Sequence, residues 1–264
     1  LNAEISLRVV LCTGANQGLG LTILQVPALR NPSTIYILAC RNITSSNEAV
    51  QKLRGEGVKA EIEVLQLDVT TDEHIITAVK FVERNYGKLD VLVNNAGILV
   101  RAPDDGLSTL REAYNNTPNT NLTSIAILTT AFLPLLHKSP DPKVINITSG
   151  LGSITNTLTK KMGRFPPHGA SKVGMNGLTA HMQTMENDRI AAEEAKGEGI
   201  KGGHIKYHVV APGVLKTAFT RFHESEKDPK EGAGAVITLM EDQEGKYPGG
   251  TQWEFVEEEM RIIP

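Results

Sequence analysis

Apolar residues in this chain gather in short continuous runs, and the stretches between them follow helical spacing. RVVLCT (8–13), TIYILAC (34–40), EIEVLQLD (61–68), LDVLVNN (89–95), PKVINIT (142–148) and HIKYHVVAPG (204–213) are bounded by turn residues, which predicts six strands. The first four are apolar on both faces, as parallel strands covered by helices must be. Helices are predicted from about Gly18, over 46–55, over DEHIITAVKFVERNYG, over a long stretch to about His137, and over 170–196. Ser45 with Glu48, and Thr70 with Glu73, have the spacing of capping boxes. Pro27 is expected to kink or shorten the first helix. The polar, turn-rich residues 221–250 predict surface loops around one more helix at about 230–240, and TQWEFV an edge strand. Strand and helix alternate at βαβ spacing from 8 to 213, which predicts one doubly wound parallel α/β sheet in a single domain, 1–264.

Composition narrows the function classes. With 40% hydrophobic and 22% charged residues in 264, the chain has enough apolar surface for a full core. The net charge of −3 offers no basic field to nucleic acid or to an anionic membrane. No apolar run reaches the ~18–20 residues that span a bilayer. The start LNAEISLRVVL lacks the basic region and small-residue cleavage site of a signal peptide, so a cytoplasmic enzyme is expected. Cys12 and Cys40 lie in apolar runs and read as buried thiols. His204 and His208 have no cysteine or carboxylate partner, and no metal site is expected. The run Glu257–Glu259 reads as a solvated acidic stretch.

The chemistry begins at TGANQGLG (13–20), which follows the first predicted strand and opens a helix. Gly14 permits the tight turn, and Gly18 and Gly20 let backbone and helix close on a pyrophosphate. The helix N-terminus supplies free N–H groups to the anion. Further along come LDV (67–69), NNAG (94–97), Asn121 in TNLTS, ITS (147–149), a GASK ending at Lys172, and PGVLKT (212–217). In this order and spacing the chain resembles the short-chain dehydrogenase/reductase family over about 8–217, most closely its carbonyl-reductase branch.

That resemblance implies a Rossmann-type fold and a nicotinamide dinucleotide, with Gly14, Asn16, Gln17, Gly18, Leu19 and Gly20 forming the phosphate turn. It implies that Asp68 and Val69 line the adenine, that Asn95, Ala96 and Gly97 line the adenosine ribose, and that Lys172 holds the nicotinamide ribose. Pro212, Gly213, Val214 and Thr217 would flank the carboxamide. Asn94 either bridges strands or touches ligand. At the end of the second strand stands Ala39–Cys40–Arg41, with no acid to accept a ribose 2′-hydroxyl. Arg41 offers a fork suited to phosphate, so NADP(H) is favoured over NAD(H), although Gln17 is not the base that NADP-using relatives often place there.

The resemblance also implies a working set of Asn, Ser, Tyr and Lys. Asn121, Ser149 and Lys172 match three of them; the fourth position holds His168. Tyr86, Tyr114, Tyr207 and Tyr247 lie outside the helix that carries Lys172 and lack the four-residue spacing. A neutral imidazole is a far weaker acid than an activated phenol, and Lys172 should push the ring below its ordinary ~6.5, which favours a base. KKMGRFPP (160–167) lengthens the interval from Ser149 to 168 and is expected to reshape the pocket. Three readings stay open: an oxidoreductase on a carbonyl or alcohol of a small substrate; a non-redox isomerase, dehydratase or cyclase using His168 as base; and a catalytically weak dinucleotide-binding protein. A homodimer or homotetramer through the long helices 106–137 and 170–196 is the assembly that the resemblance implies.

Overall fold

The computed structural model describes residues 7–101, 104–161, 164–197, 199–221, 227–256 and 259–263. Strands β1 (Arg8–Thr13), β2 (Thr34–Cys40), β3 (Ile62–Gln66), β4 (Val91–Asn94), β5 (Lys143–Ile147), β6 (Lys206–Val210), β7 (Gln252–Val256) and β8 (Glu259–Ile262) form one sheet in the order β3-β2-β1-β4-β5-β6-β7-β8. Every pairing is parallel except β7 with β8. The direction of winding reverses between β1 and β4, and that reversal opens a crevice at the carboxyl ends of the strands. TQWEFV is therefore an inner strand, parallel to β6; the edge is β8, too short and polar to read as a strand from its sequence.

Helices α1 (Gly18–Arg30), α2 (Ile43–Gly55), α3 (Asp72–Tyr86), α4 (Leu107–Pro118), α5 (Ser124–Leu136), α6 (Ile154–Thr159), α7 (Pro166–Lys196) and α8 (Pro229–Glu241) cover the two faces. Alternate residues of β1 serve opposite cores. Val10 and Cys12 pack with Leu24, Leu53 and Val236, while Val9 and Leu11 pack with Ile75, Val82 and Phe132. Both thiols are free and buried.

Several local readings change. α2 starts at Ile43, because Asn42 Oδ1 accepts the Ser45 N–H (3.2 Å) and the Ser45/Glu48 box does not form. α3 is entered from Thr71 without a side-chain cap; Thr70 turns back to give its hydroxyl to Asp68 (2.6 Å). α1 continues through Pro27 to Arg30. α7 begins at Pro166, with prolines in its first turn where no N–H partner is needed, so it already contains His168. The stretch from 107 to 136 is continuous helix, apolar and long enough to cross a membrane, but a π-helical turn at Asn119–Thr123 divides it. Its buried residues, Phe132 and Leu136 among them, pack in the core beneath the sheet. His204 lies ahead of β6, not on it.

Candidate functional site

The first half of the site is the turn after β1. Gly14 (φ +63°) and Gly18 (φ +54°) adopt the left-handed backbone that only glycine takes without cost. A Cβ on Gly20 would stand 2.5 Å from Asn95 Nδ2 and 2.6 Å from the Gly14 carbonyl, so this glycine serves close packing of helix on turn. Asn95 gives its amide to the Thr13 and Gly14 carbonyls (2.8 and 3.1 Å), and Thr13 Oγ1 accepts the Asn95 and Ala96 N–H groups (both 3.0 Å). The two loops at the switch point are thereby tied together. α1 then begins with no side-chain cap and no acidic residue in its first turn, which leaves its N–H groups and positive end to the crevice. An anionic diphosphate fits these residues. Asn94 bridges strands, donating to Thr129 Oγ1 (3.1 Å) and Asn146 Oδ1 (2.8 Å).

At the end of β2, Arg41 is exposed and Asn16 Nδ2 donates to Ser45 Oγ (3.1 Å). Burial works against the Asp68 carboxylate, but hydrogen bonds from Thr70 outweigh it and, with Arg41 and His74, hold it below the usual range.

The second half stands over β4, β5 and β6. His168 is buried on the first turn of α7, one turn ahead of Lys172. Its Nδ1 lies 3.1 Å from the Ile98 carbonyl, which only accepts, and 3.4 Å from the Asn121 amide; the shorter contact puts the proton on Nδ1 and leaves Nε2 its lone pair. Asn121 sits in the π-helical turn, a local unwinding often found at functional sites. Its Oδ1 accepts the Ile98 N–H (2.8 Å), while its amide donates to the Ile98 carbonyl (2.9 Å) and to Ser171 Oγ (3.1 Å). Asn121 thus clamps the residue that holds His168, its amide shared between Ile98 and Ser171. Lys172 Nζ donates to the Ile147 carbonyl at the end of β5 (2.7 Å). Ser149 Oγ accepts the Leu151 N–H (3.2 Å) at the start of a 3-10 turn.

Burial, reinforced by Lys172, pushes the His168 ring down to about 4, against a smaller upward pull from its bond to Ile98. Burial alone brings the Lys172 ammonium down to about 7. The ring of Phe219 meets His168 edge-on, 6.0 Å between centroids.

One cleft of about 670 Å³ joins the two halves. Gly14, Asn16, Gln17, Gly18, Leu19, Gly20, Arg41, Asp68, Val69, Asn95, Ala96, Gly97, Ser149, His168, Lys172, Pro212, Gly213, Val214 and Thr217 all line it, and Asn121 lies behind its wall. Gly18 and Thr217 face each other across it, since a Cβ on Gly18 would meet the Thr217 methyl at 3.3 Å. No motif or spacing marks Ile98 or Phe219. Ile98 acts through its backbone carbonyl, and an isolated aromatic in a loop carries no spacing signal. Leu151 and Phe165 also line a second, apolar cavity of about 290 Å³, open to solvent and lined further by Ile154, Leu158, Ala170 and Val173. α6 supplies part of that cavity and was not predicted.

The sequence model of short chain dehydrogenases matches residues 8–228. A short-chain dehydrogenase/reductase of Aspergillus fumigatus is 51% identical over 266 residues, covering 100% of both chains. A short-chain dehydrogenase of Penicillium roqueforti is 32% identical over 243 residues, 89% of each chain. Among solved structures, an NADPH-bound carbonyl reductase from chicken fatty liver superposes with a TM-score of 0.76 at 25% identity, over 95% of this chain and 97% of that one. With its glycine turn at the switch point and its Ser149, His168 and Lys172 in one cleft, the chain belongs to the short-chain dehydrogenase/reductase family.

Proposed function

We propose that the protein is an NADP(H)-dependent oxidoreductase interconverting a carbonyl and an alcohol on a small organic substrate, with His168 as the group that takes the proton. The observation that carries this reading is the His168 ring in the cleft, its Nδ1–H tied to the Ile98 carbonyl and its Nε2 left as an acceptor. NADP(H) is supported by the missing acid at the end of β2, by Arg41 on the cleft wall, and by the NADPH in the chicken carbonyl reductase. When bound, the nicotinamide accepts or supplies the hydride.

The chain's own residues handle the rest. Ser149 Oγ holds the substrate oxygen, and His168 Nε2 receives its proton as an alcohol becomes a carbonyl. Nδ1–H on Ile98 fixes the tautomer that makes this possible, and Asn121 fixes Ile98. Burial, reinforced by Lys172, keeps the ring neutral, and Lys172 holds the cofactor ribose. In the reverse direction the ring would have to arrive protonated, which a group titrating at about 4 resists at neutral pH. The same basic Nε2 favours a second reading, in which His168 abstracts a proton in a reaction without net redox.

Turnover of a panel of alcohols and ketones with NADP(H), pH 5 to 9, tests the first. His168→Phe should cut alcohol oxidation by ~10²–10⁴-fold, the usual worth of a general base, with NADPH binding intact. His168→Tyr should raise ketone reduction at pH 7 by ~10-fold, since it puts a phenol beside Lys172. Oxidation by the wild type should not fall as pH drops through 6.5, and any break near 7 belongs to Lys172. Wild-type turnover in His168→Phe would reduce the ring to a pocket wall. Substrate conversion without absorbance change in NADPH would favour the second reading. The assembly that accompanies this proposal is a homodimer or homotetramer through α4, α5 and α7, which a monomer in light scattering would refute.

A further inference from the structure

His168 lines an open cleft, yet it is only 4% exposed. Its polar neighbours hold it in place: the Ile98 carbonyl and the Asn121 amide meet Nδ1, and Lys172 stands one turn along α7. Phe219, which lines the same cleft, is the one aromatic ring in contact with it among the described residues. The two rings meet edge-on, 6.0 Å between centroids and 62° between planes. Core packing does not account for Phe219, which is 46% exposed and belongs to neither hydrophobic cluster. Its loop is nevertheless fixed. The Lys216 N–H donates to the Lys227 carbonyl (2.8 Å), the Lys227 N–H to the Val214 carbonyl (3.0 Å), and the Thr220 hydroxyl to the Leu215 and Thr217 carbonyls.

We infer that Phe219 is a positioning residue for the proton step, an apolar cover that keeps water from the His168 imidazole. The inference rests on the reading of His168 as the base. Imidazolium needs water or an anion, so a cover of this kind holds the ring in its neutral form. The charges near the ring do not do this work alone. The segments around it are 95–101, 119–123, 147–153, 165–172 and 211–221; they contain Arg101, Lys172, Lys216 and Arg221, and not one Asp or Glu. Arg101 lies over the Phe165 ring, 5.4 Å from its centroid. Asp68, at the end of β3, is engaged with Thr70, Arg41 and His74. Lys172 is the charge that acts on His168, and its effect is smaller than that of burial. Removing the cover therefore admits water and lets the ring take a proton at higher pH.

The test reads the ring directly. With carbon-13 at Cε1 of the seven histidines and NADP+ bound, His168→Phe identifies the signal of residue 168. In Phe219→Ala that signal should titrate about one pH unit above wild type, a fraction of the ~3–5 units that full burial can impose. Phe219→Leu keeps an apolar cover and should stay within about half a unit of wild type. Alcohol oxidation should follow the ring: kcat/KM of Phe219→Ala relative to wild type should fall about twofold from pH 8 to pH 5, and that of Phe219→Leu should hold level. A loss that is equal at every pH marks a substrate contact only and overturns the inference. An unmoved titration in Phe219→Ala overturns it, as does an equal rise in Phe219→Leu. A ring that titrates higher in Phe219→Ala, in a protein that oxidises no alcohol, upholds the cover while the oxidoreductase reading fails.

Discussion

Arg41 stands where β2 ends, exposed on the cleft wall with no ion pair among the described residues. A guanidinium so placed should distinguish two cofactors that differ only by a phosphate. Arg41→Ala should therefore weaken NADPH binding by ~1.5–3 kcal/mol, the range for a charged hydrogen bond, and leave NADH nearly unaffected. Equal losses for both in a fluorescence titration would mean that Arg41 does not read the phosphate. At this scale the side chains in sequence motifs were legible, because TGANQGLG, NNAG and GASK put particular chemistry at particular spacings. His168 was legible as an oddity. The partner that sets its tautomer was not, because every residue has a carbonyl and nothing in the sequence marks that of Ile98. Asn121 shows the same limit: its amide holds that carbonyl's loop, a positioning task its motif did not disclose.

Among the elements, α1 and the loop after β4 are joined through Gly20, whose missing side chain makes room for the Asn95 amide. Gly20→Ala would force that amide and the Gly14 carbonyl apart. The expected loss is ~1–3 kcal/mol, the usual cost of overpacking, together with weaker NADPH binding. Urea unfolding followed in parallel with cofactor titration checks it; a variant as stable as wild type would show that the turn yields freely. Strands and long helices were legible because their burial repeats along the chain. Helix starts were not, since several polar residues compete for the same end: Asn42 took the cap that Ser45 and Glu48 were expected to form. α6 and β8 are too short to carry a period at all. α7 starts earlier than its apolar period suggests, and that start puts His168 and Lys172 on consecutive turns of one rigid element.

Across the molecule, stability and chemistry share a dependence on buried bases. His208 on β6 is fully buried, and among the described residues neither ring nitrogen has a hydrogen-bond partner. Burial, with Lys143 and Lys206 adding to it, pushes its ring down to about 4, against smaller upward pulls from Asp242 and Asp141. An unfolded chain has a histidine of ~6.5, so between ~6.5 and about 4 the unfolded state binds the extra proton and folding loses ground as pH falls. His168 contributes in the same window. Lys172 acts in a higher one: its folded value of about 7 lies below the ordinary 10.5, so it costs stability as pH falls from 10.5 toward 7. Wild type should therefore lose stability steadily from pH 6.5 to 4. His208→Leu removes one of the two histidine contributions and should flatten that limb, whatever it does to stability at pH 7.5. Urea midpoints for both proteins at pH 7.5, 6, 5 and 4.5 read the slopes directly. Parallel slopes would show that His208 takes up its proton as readily in the fold as outside it, and would leave the acid sensitivity to the ring in the cleft.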